Sequence, residues 1–317
     1  MTDFDELSKL RLAILRQLGS LGPMSVRIAH LTAGLFAGLC LLAGAGQVEA
    51  RQTVCDRPDA VWDNAAQANA ISLRTLEWSP FGASEMGWET YLPLLQQVIG
   101  SPCDPASAGF AETLAAFQQR YNLTATGQFD QATFTVLRGL LQERRPFVMA
   151  RVRGECPEPP PVRELVYLDP HEEHAERITR MLRRDVLAAY RQMVAAAREE
   201  VPEIAANPEL LKIFSGFRDP EADAARCATE RNCDGVRRAV CSPHRTGTAV
   251  DLYVGHMPGM GVDSTRPLSR QYMAQTAAYR WLVANAGRFG FTPYLFEPWH
   301  WEFTGYVSTP NPPSIAG

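Results

Sequence analysis

The chain has no surplus of basic charge. Its 31 Lys and Arg are outnumbered by 35 Asp and Glu, which gives a formal net charge of −4 and a pI near 5.9. Nucleic-acid binding relies on a concentrated positive field, so this balance argues against a nucleic-acid partner. The pairs Arg183-Arg184 and Arg237-Arg238 read instead as solvated faces. A shortage of apolar residues is also missing: 46% hydrophobic and 21% charged is ordinary for a globular protein and excludes a wholly disordered chain. At 317 residues there is room for two domains.

Chemistry is concentrated in two short blocks, Ser242-Pro-His-Arg-Thr-Gly-Thr-Ala-Val-Asp251 and Glu297-Pro-Trp-His300. A catalytic zinc takes three protein ligands, from imidazole nitrogens and carboxylate oxygens, and leaves a fourth position to water. His244, Asp251 and His300 meet that count. The stretch Thr248 to Val254 is rich in β-branched and aromatic residues and reads as a strand, with Ala249, Asp251 and Tyr253 on one face and Val250 and Leu252 behind. Gly247 lets the preceding loop fold His244 back toward Asp251. Pro298 biases Glu297 toward an extended turn, after which His300, Glu302 and Thr304 alternate with Trp301 and Phe303 along a further strand. A carboxylate three residues ahead of a ligand histidine is placed to take a proton from water activated by the metal, which makes Glu297 the general-base candidate. Glu302 reads as a solvated strand residue rather than a partner of a ligand imidazole, though both roles fit. His171, His174 and His256 belong to no motif and read as surface residues.

At these residues the chain resembles the VanY/VanX-like zinc D,D-peptidases, whose pattern S-x-H-x-x-G-x-A-x-D is followed by E-x-W-H. A third element of that family, a strand ending in S-G-[YF]-R, matches Leu211 to Arg218. The resemblance spans about residues 176 to 306. It implies a zinc ion on His244, Asp251 and His300, Glu297 as base, and Arg218 steadying the oxyanion that develops during hydrolysis. It further implies peptidoglycan stem peptides as substrate and D-alanyl-D-alanine carboxypeptidase as the activity. Alternatives are a D,D- or L,D-endopeptidase of the same polymer, or a non-catalytic wall-binding protein. The chain departs from the family where carboxypeptidase members carry Ser and Gln after the arginine motif and Gln after the motif histidine: here stand Asp219, Pro220 and Arg245. Ser242 and Arg245 are the substrate-binding candidates, Arg245 because a guanidinium suits a carboxylate bidentately.

An apolar run from Ile28 to Gly46 follows Arg27 and precedes Val48-Glu-Ala50. It reads as an export signal cleaved after Ala50, so the expected location is the periplasm or cell envelope. The other reading is an uncleaved membrane anchor, for which the run is short and diluted by glycine. A start at Met24 rather than Met1 gives a signal peptide of ordinary length, and Leu39 before Cys40 argues against a lipoprotein site. Without Cys40, the cysteines are Cys55, Cys103, Cys156, Cys227, Cys233 and Cys241. An even set in an oxidising compartment reads as up to three disulfides, with about 15 possible pairings. A pairing inside the 227–241 cluster is expected, closing a short loop just ahead of His244. A Cys₃His zinc knuckle on the same residues is disfavoured, because it would consume His244.

Residues 51–85 show no sustained periodicity and read as an irregular lead-in. Three helices follow, at 88–99, 110–121 and 130–141, broken at Gly100, Pro102, Pro105 and Gly127. Residues 86–143 resemble the peptidoglycan-binding domain of cell-wall hydrolases, in Gly109 to Gln118 and Leu123 to Asp130. That likeness implies Phe117 and Leu123 in a core and Asp130 as a helix cap. Proline at 157 and 159–161 makes 144–171 a stiff linker. In 172–317, long amphipathic helices are expected at 172–200 and 269–287, the first burying Ile178, Leu182, Tyr190 and Val194 and the second Tyr272, Tyr279, Leu282 and Ala286. Strands are expected at 211–217, 248–254 and 299–304. Helices and strands out of strict alternation point to an α+β fold with a largely antiparallel sheet, preceded by a small three-helix domain.

Overall fold

The computed structural model describes residue 55 and residues 61–175, 180–230 and 241–305. The expected export segment, Cys40 and Cys233 lie outside the described residues, as do Ile178 and the side chain of Cys227. The described residues fall in one compact unit, 48–317, and among them no helix is long and apolar enough to cross a membrane.

The lead-in is structured. Helix α1 (Asp63–Thr75) and a hairpin of β1 (Glu77–Trp78) and β2 (Glu85–Met86) occupy it. Its helix is polar and carries no apolar stripe. It is fixed by a buried amide: Asn69 Nδ2 donates to Gly127 O at 2.8 Å, and Asn69 Oδ1 accepts from Phe129 N at 2.9 Å. Three helices follow close to the expected places: α2 (Leu92–Ile99), α3 (Ala108–Arg120) and α4 (Gln131–Glu143). Ser107 caps α3 and Asp130 caps α4, each side chain taking a first-turn N–H. Trp88, Tyr91, Phe110, Phe117 and Phe134 are buried between them, whereas Leu123 is only half-buried.

The proline-rich stretch is not a bare tether. It opens with α5 (Pro146–Val152) and ends in β3 (Leu165–Tyr167), which pairs antiparallel with β4 (Met181–Arg183). The long helix expected from 172 therefore begins only at α6 (Arg184–Glu200), although Tyr190 and Val194 are buried as foreseen. A short α7 (Pro202–Ala206) follows it, and then α8 (Pro220–Glu230). The helix expected over 269–287 breaks in two, α9 (Pro267–Ala274) and α10 (Ala277–Asn285), because Thr276 caps the second. Tyr279, Leu282 and Ala286 are buried, but Tyr272 lies outside the core at 44% exposure.

Between these helices sits a four-stranded, all-antiparallel sheet: β5 (Ile213–Ser215), β6 (Ala249–Leu252), β8 (Glu297–Phe303) and β7 (Phe291–Tyr294), in that order. The fold is α+β, as the element order implied. Pro298 is tolerated in a central strand because β6 pairs with β8 only at 300–302, so the missing N–H leaves no partner unmet there.

The two halves share one continuous core. Arg270 of α9, 1% exposed, shows how. It donates to Glu85 Oε1 and to the Tyr91 hydroxyl, both at 2.6 Å, and its guanidinium lies 4.3 Å from the Phe296 ring. An ion pair so deeply buried adds little net stability when intact, but removing one partner costs about 3–5 kcal/mol. The sheet and the N-terminal helices are thereby held in one register.

Candidate metal centre

Strand register makes the first contact. Asp251 stands directly opposite His300 across β6 and β8, and Ser215 stands opposite Asp251 on the other side. His300 Nδ1 lies 2.9 Å from Asp251 Oδ1. The second imidazole arrives on a 3₁₀ turn, Pro243–Thr246. Ser242 Oγ caps that turn by accepting from His244 N at 3.3 Å, and Gly247 closes it in the left-handed region at φ +67°. His244 Nε2 thus comes to 3.3 Å from Asp251 Oδ2. One ligand atom from each of His244, Asp251 and His300 lies within 4.8 Å of the others, and all three residues are buried.

The outer partners decide which ring nitrogens face inward. His244 Nδ1 lies 2.8 Å from the carbonyl of Gly216. A carbonyl only accepts, so Nδ1 carries the proton and Nε2 offers a lone pair toward Asp251. His244 Nε2 is buried and makes no hydrogen bond among the described residues. On the other ring, His300 Nε2 lies 3.2 Å from Glu302 Oε1, which leaves Nδ1 facing Asp251. Two imidazole nitrogens and a carboxylate thus converge in a buried space that can hold a cation. This donor set and separation fit zinc, with each imidazole oriented from behind by a hydrogen-bond acceptor.

Electrostatics agree. Burial alone would raise the Asp251 carboxyl, but the facing imidazoles of His244 and His300 outweigh it and hold Asp251 well below the usual range. Burial, aided by the nearby Arg218 charge, lowers His244 and keeps it neutral. For His300, burial is outweighed by hydrogen bonds to Asp251 and Glu302, and its value rises to about 9. Without a metal, that ring is a cation clamped between two carboxylates. A divalent ion would take over the role of its extra proton.

Glu297, at the start of β8, is half-buried, and no hydrogen bond or ion pair engages its carboxylate among the described residues. Burial raises its pKa, against the lowering effect of His300, and the charge of Asp251 raises it further. Such a carboxylate is a free proton acceptor. Arg218, just past β5, donates its backbone N–H to His244 O at 3.2 Å and sets Nη2 4.0 Å from Asp251 Oδ2. Its Nε is buried and has no hydrogen-bond partner among the described residues.

The two substrate-side candidates are placed differently. The Ser242 hydroxyl holds the His244 turn. Arg245 points toward the proline-rich stretch, with Nη1 2.8 Å from Cys156 Sγ and Nη2 3.9 Å from Glu158. Of the cluster in which a pairing was expected, Cys241 is bonded to Cys156, while Cys233 and the side chain of Cys227 lie outside the described residues; Cys55 is bonded to Cys103. Distance in space, not in sequence, decides disulfide pairing: the 156–241 bridge pins the proline-rich stretch to the segment ahead of His244.

Other expectations need correction. Glu302 is not solvated: it is 2% exposed, lies behind His300, and has a pKa near 2 because His300 and Arg145 outweigh its burial. The alternation His300-x-Glu302 already placed it on the ligand face. Gly216, within the Ser-Gly-Phe-Arg motif, was not singled out, yet its carbonyl orients His244. Of the three unassigned histidines only His171 is exposed. His174 stacks on Tyr253 with ring centres 4.1 Å apart, and His256 Nδ1 lies 2.9 Å from the Tyr253 hydroxyl. Asp169, His171 and Glu172 also cluster, but Arg191 is bound to both carboxylates, at 2.8 and 2.6 Å.

Comparison with known proteins gives one family. No curated protein matches the chain. Among solved structures, a similar one is the LdcB LD-carboxypeptidase, 24% identical over 48% of this chain and 70% of that one, with a TM-score of 0.32. The family model for VanY, D-alanyl-D-alanine carboxypeptidase, matches residues 179–306, a span that contains Arg218, His244, Asp251, Glu297 and His300.

Proposed function

We propose that the protein is a zinc-dependent D-alanyl-D-alanine carboxypeptidase acting on the stem peptides of peptidoglycan. The observation that carries this reading is the convergence of His244 Nε2, Asp251 and His300 Nδ1, each ring backed by a hydrogen-bond acceptor on its other nitrogen, beside an unengaged Glu297. His244, Asp251 and His300 hold the ion. What zinc supplies in such a site is Lewis acidity, which eases deprotonation of water near neutral pH. Glu297 takes the proton as water oxygen bonds to the scissile carbonyl carbon, then returns it to the amine as the C–N bond breaks. The Arg218 guanidinium steadies the negative charge that gathers on the carbonyl oxygen, a charge absent in the ground state. Ser242 keeps the His244 turn in place at the substrate side. Arg245 takes a stem-peptide carboxylate: its contact with Glu158, whose side chain is 88% exposed, is long enough at 3.9 Å for a ligand to replace.

The match to a family described as D-alanyl-D-alanine carboxypeptidase supports the substrate class. Two disulfides support export to an oxidising compartment, as does the apolar Ile28–Gly46 run. The three helices of 86–143 would add contact with the polymer, raising the local concentration of enzyme on an insoluble substrate.

Purified muropeptides digested with and without a chelator, then weighed, test the reading. Loss of one alanine from monomers, abolished by chelator and restored by zinc, is the expected result. Splitting of dimers would make the enzyme an endopeptidase, and no hydrolysis by a zinc-loaded protein would leave only a wall-binding role. Glu297→Ala should keep the metal and lose hydrolysis, whereas His300→Ala should lose both.

A further inference from the structure

We propose that Arg145, from the helical half of the chain, is a positioning residue for the metal centre: it fixes Glu302, and through Glu302 the ring of His300. The inference rests on the metal-centre reading given above. Arg145 lies between α4 and α5, 157 residues before Glu302, and is outside the span matched to the VanY family. Its side chain is 6% exposed and that of Glu302 is 3% exposed. Nε and Nη2 both donate to Glu302 Oε1, at 2.9 and 2.5 Å. Nη1 donates to Gln142 Oε1 at 2.6 Å, which anchors the guanidinium to the last turn of α4. The guanidinium also lies 4.1 Å from the centre of the Tyr294 ring, and Tyr294 meets His300 edge-on at 5.9 Å.

The same oxygen, Glu302 Oε1, therefore serves Arg145 and His300 Nε2. Arginine only donates, and an ionised carboxylate only accepts. While Arg145 is in place, Glu302 is held as an acceptor and aimed at His300, so Nε2 keeps a proton and Nδ1 faces Asp251. Remove Arg145, and a buried carboxylate is left without its compensating cation. Nothing then holds that carboxylate against His300, and the ring loses the partner that fixes it. By this reading the helical half completes the active site, whatever it contributes to wall binding.

The full-length protein, stripped of metal, is the material for the test. Zinc affinity is read by competition with a chromophoric chelator. The His300 tautomer is read by nitrogen NMR of histidine-labelled protein, above the pH at which the ring loses its second proton. Arg145→Met should weaken zinc binding about 10- to 100-fold and move the His300 proton off Nε2, with kcat falling more than KM changes. Gln97→Ala is the control, because it cuts another bond between the halves, to Val283 O at 2.5 Å, without touching Glu302. It should leave zinc affinity and tautomer as in the wild type. If Arg145→Met fails to fold, Arg145→Lys keeps the charge but not the two-pronged contact and should show a smaller shift of the same kind. Wild-type affinity and tautomer in a folded Arg145 variant, or an equal loss in Gln97→Ala, would overturn the proposal. A wild-type protein that binds no zinc defeats the metal-centre reading instead, and the tautomer measurement still judges Arg145.

Discussion

Gly216→Ala is the sharpest test of how the centre is oriented. A Cβ built on Gly216 falls 2.7 Å from the backbone oxygen of Met181 and 3.4 Å from Leu182 Cδ2. Ordinary contact begins near 3.4 Å, so about 0.7 Å must be found between two pieces of main chain, where no flexible side chain can give way. Both pieces are already tied. Met181 O accepts from Phe217 N at 2.7 Å, and Gly216 O faces His244 Nδ1 at 2.8 Å. A shift of that size would carry the His244 bond toward 3.5 Å, where it ceases to count as a hydrogen bond. Overpacking costs about 1–3 kcal/mol, and a weakened buried hydrogen bond about 1 more, so the expected loss is about 2–4 kcal/mol. The freed imidazole should also cost about 10- to 100-fold in zinc affinity. Chemical denaturation of the metal-free protein and chelator competition measure the two effects separately. A Gly216→Ala protein with wild-type midpoint and wild-type zinc affinity would refute the steric argument and the orienting role together.

Glu297→Gln should lower kcat about 10²- to 10⁴-fold while zinc content stays constant. Because burial raises this carboxyl above its ordinary 4.5, the acid limb of kcat/KM should lie above that value. The folded state also binds this proton more readily than the unfolded chain does. Metal-free stability should therefore fall as pH rises from the unfolded value through the folded one, a slope that Glu297→Gln removes; identical urea midpoints at every pH would contradict this. Replacing Cys156 and Cys241 by serine opens a loop of 85 residues and should cost about 4.5 kcal/mol in chain entropy, read as a lower denaturation midpoint. An unchanged midpoint would show that the bridge constrains nothing. Arg218→Ala should reduce kcat about 10²- to 10³-fold with little change in KM; a change confined to KM would make Arg218 a substrate-binding residue instead.

Much of the site was legible because its chemistry is carried by short, local patterns. Strand alternation put Asp251 on one face of β6 and His300 with Glu302 on one face of β8. A glycine after His244 marked a turn, and the Ser-Gly-Phe-Arg run delivered Arg218. Local caps were equally readable, as at Asp130. Context decided the rest. Residues 172–183 have helical spacing, yet β3 recruits 181–183 into a hairpin, since pairing with a neighbour outweighs a weak local preference. The polar α1 lacks an apolar stripe and is held by Asn69 instead. Glu302 was read as solvated because a charged residue on a strand usually is, and the cation that permits its burial comes from far away in the chain.

Sequence by itself determined the α+β class, the antiparallel strands and the identity of the residues able to hold a cation, because these depend on residue type at short spacing. Tertiary structure decided the register that sets Asp251 against His300, the choice of Nε2 on one ring and Nδ1 on the other, the Cys156–Cys241 pairing, and the reach of Arg145 into the centre. Each of these depends on a distance between segments remote in the chain, which packing of the common core fixes and no local pattern encodes.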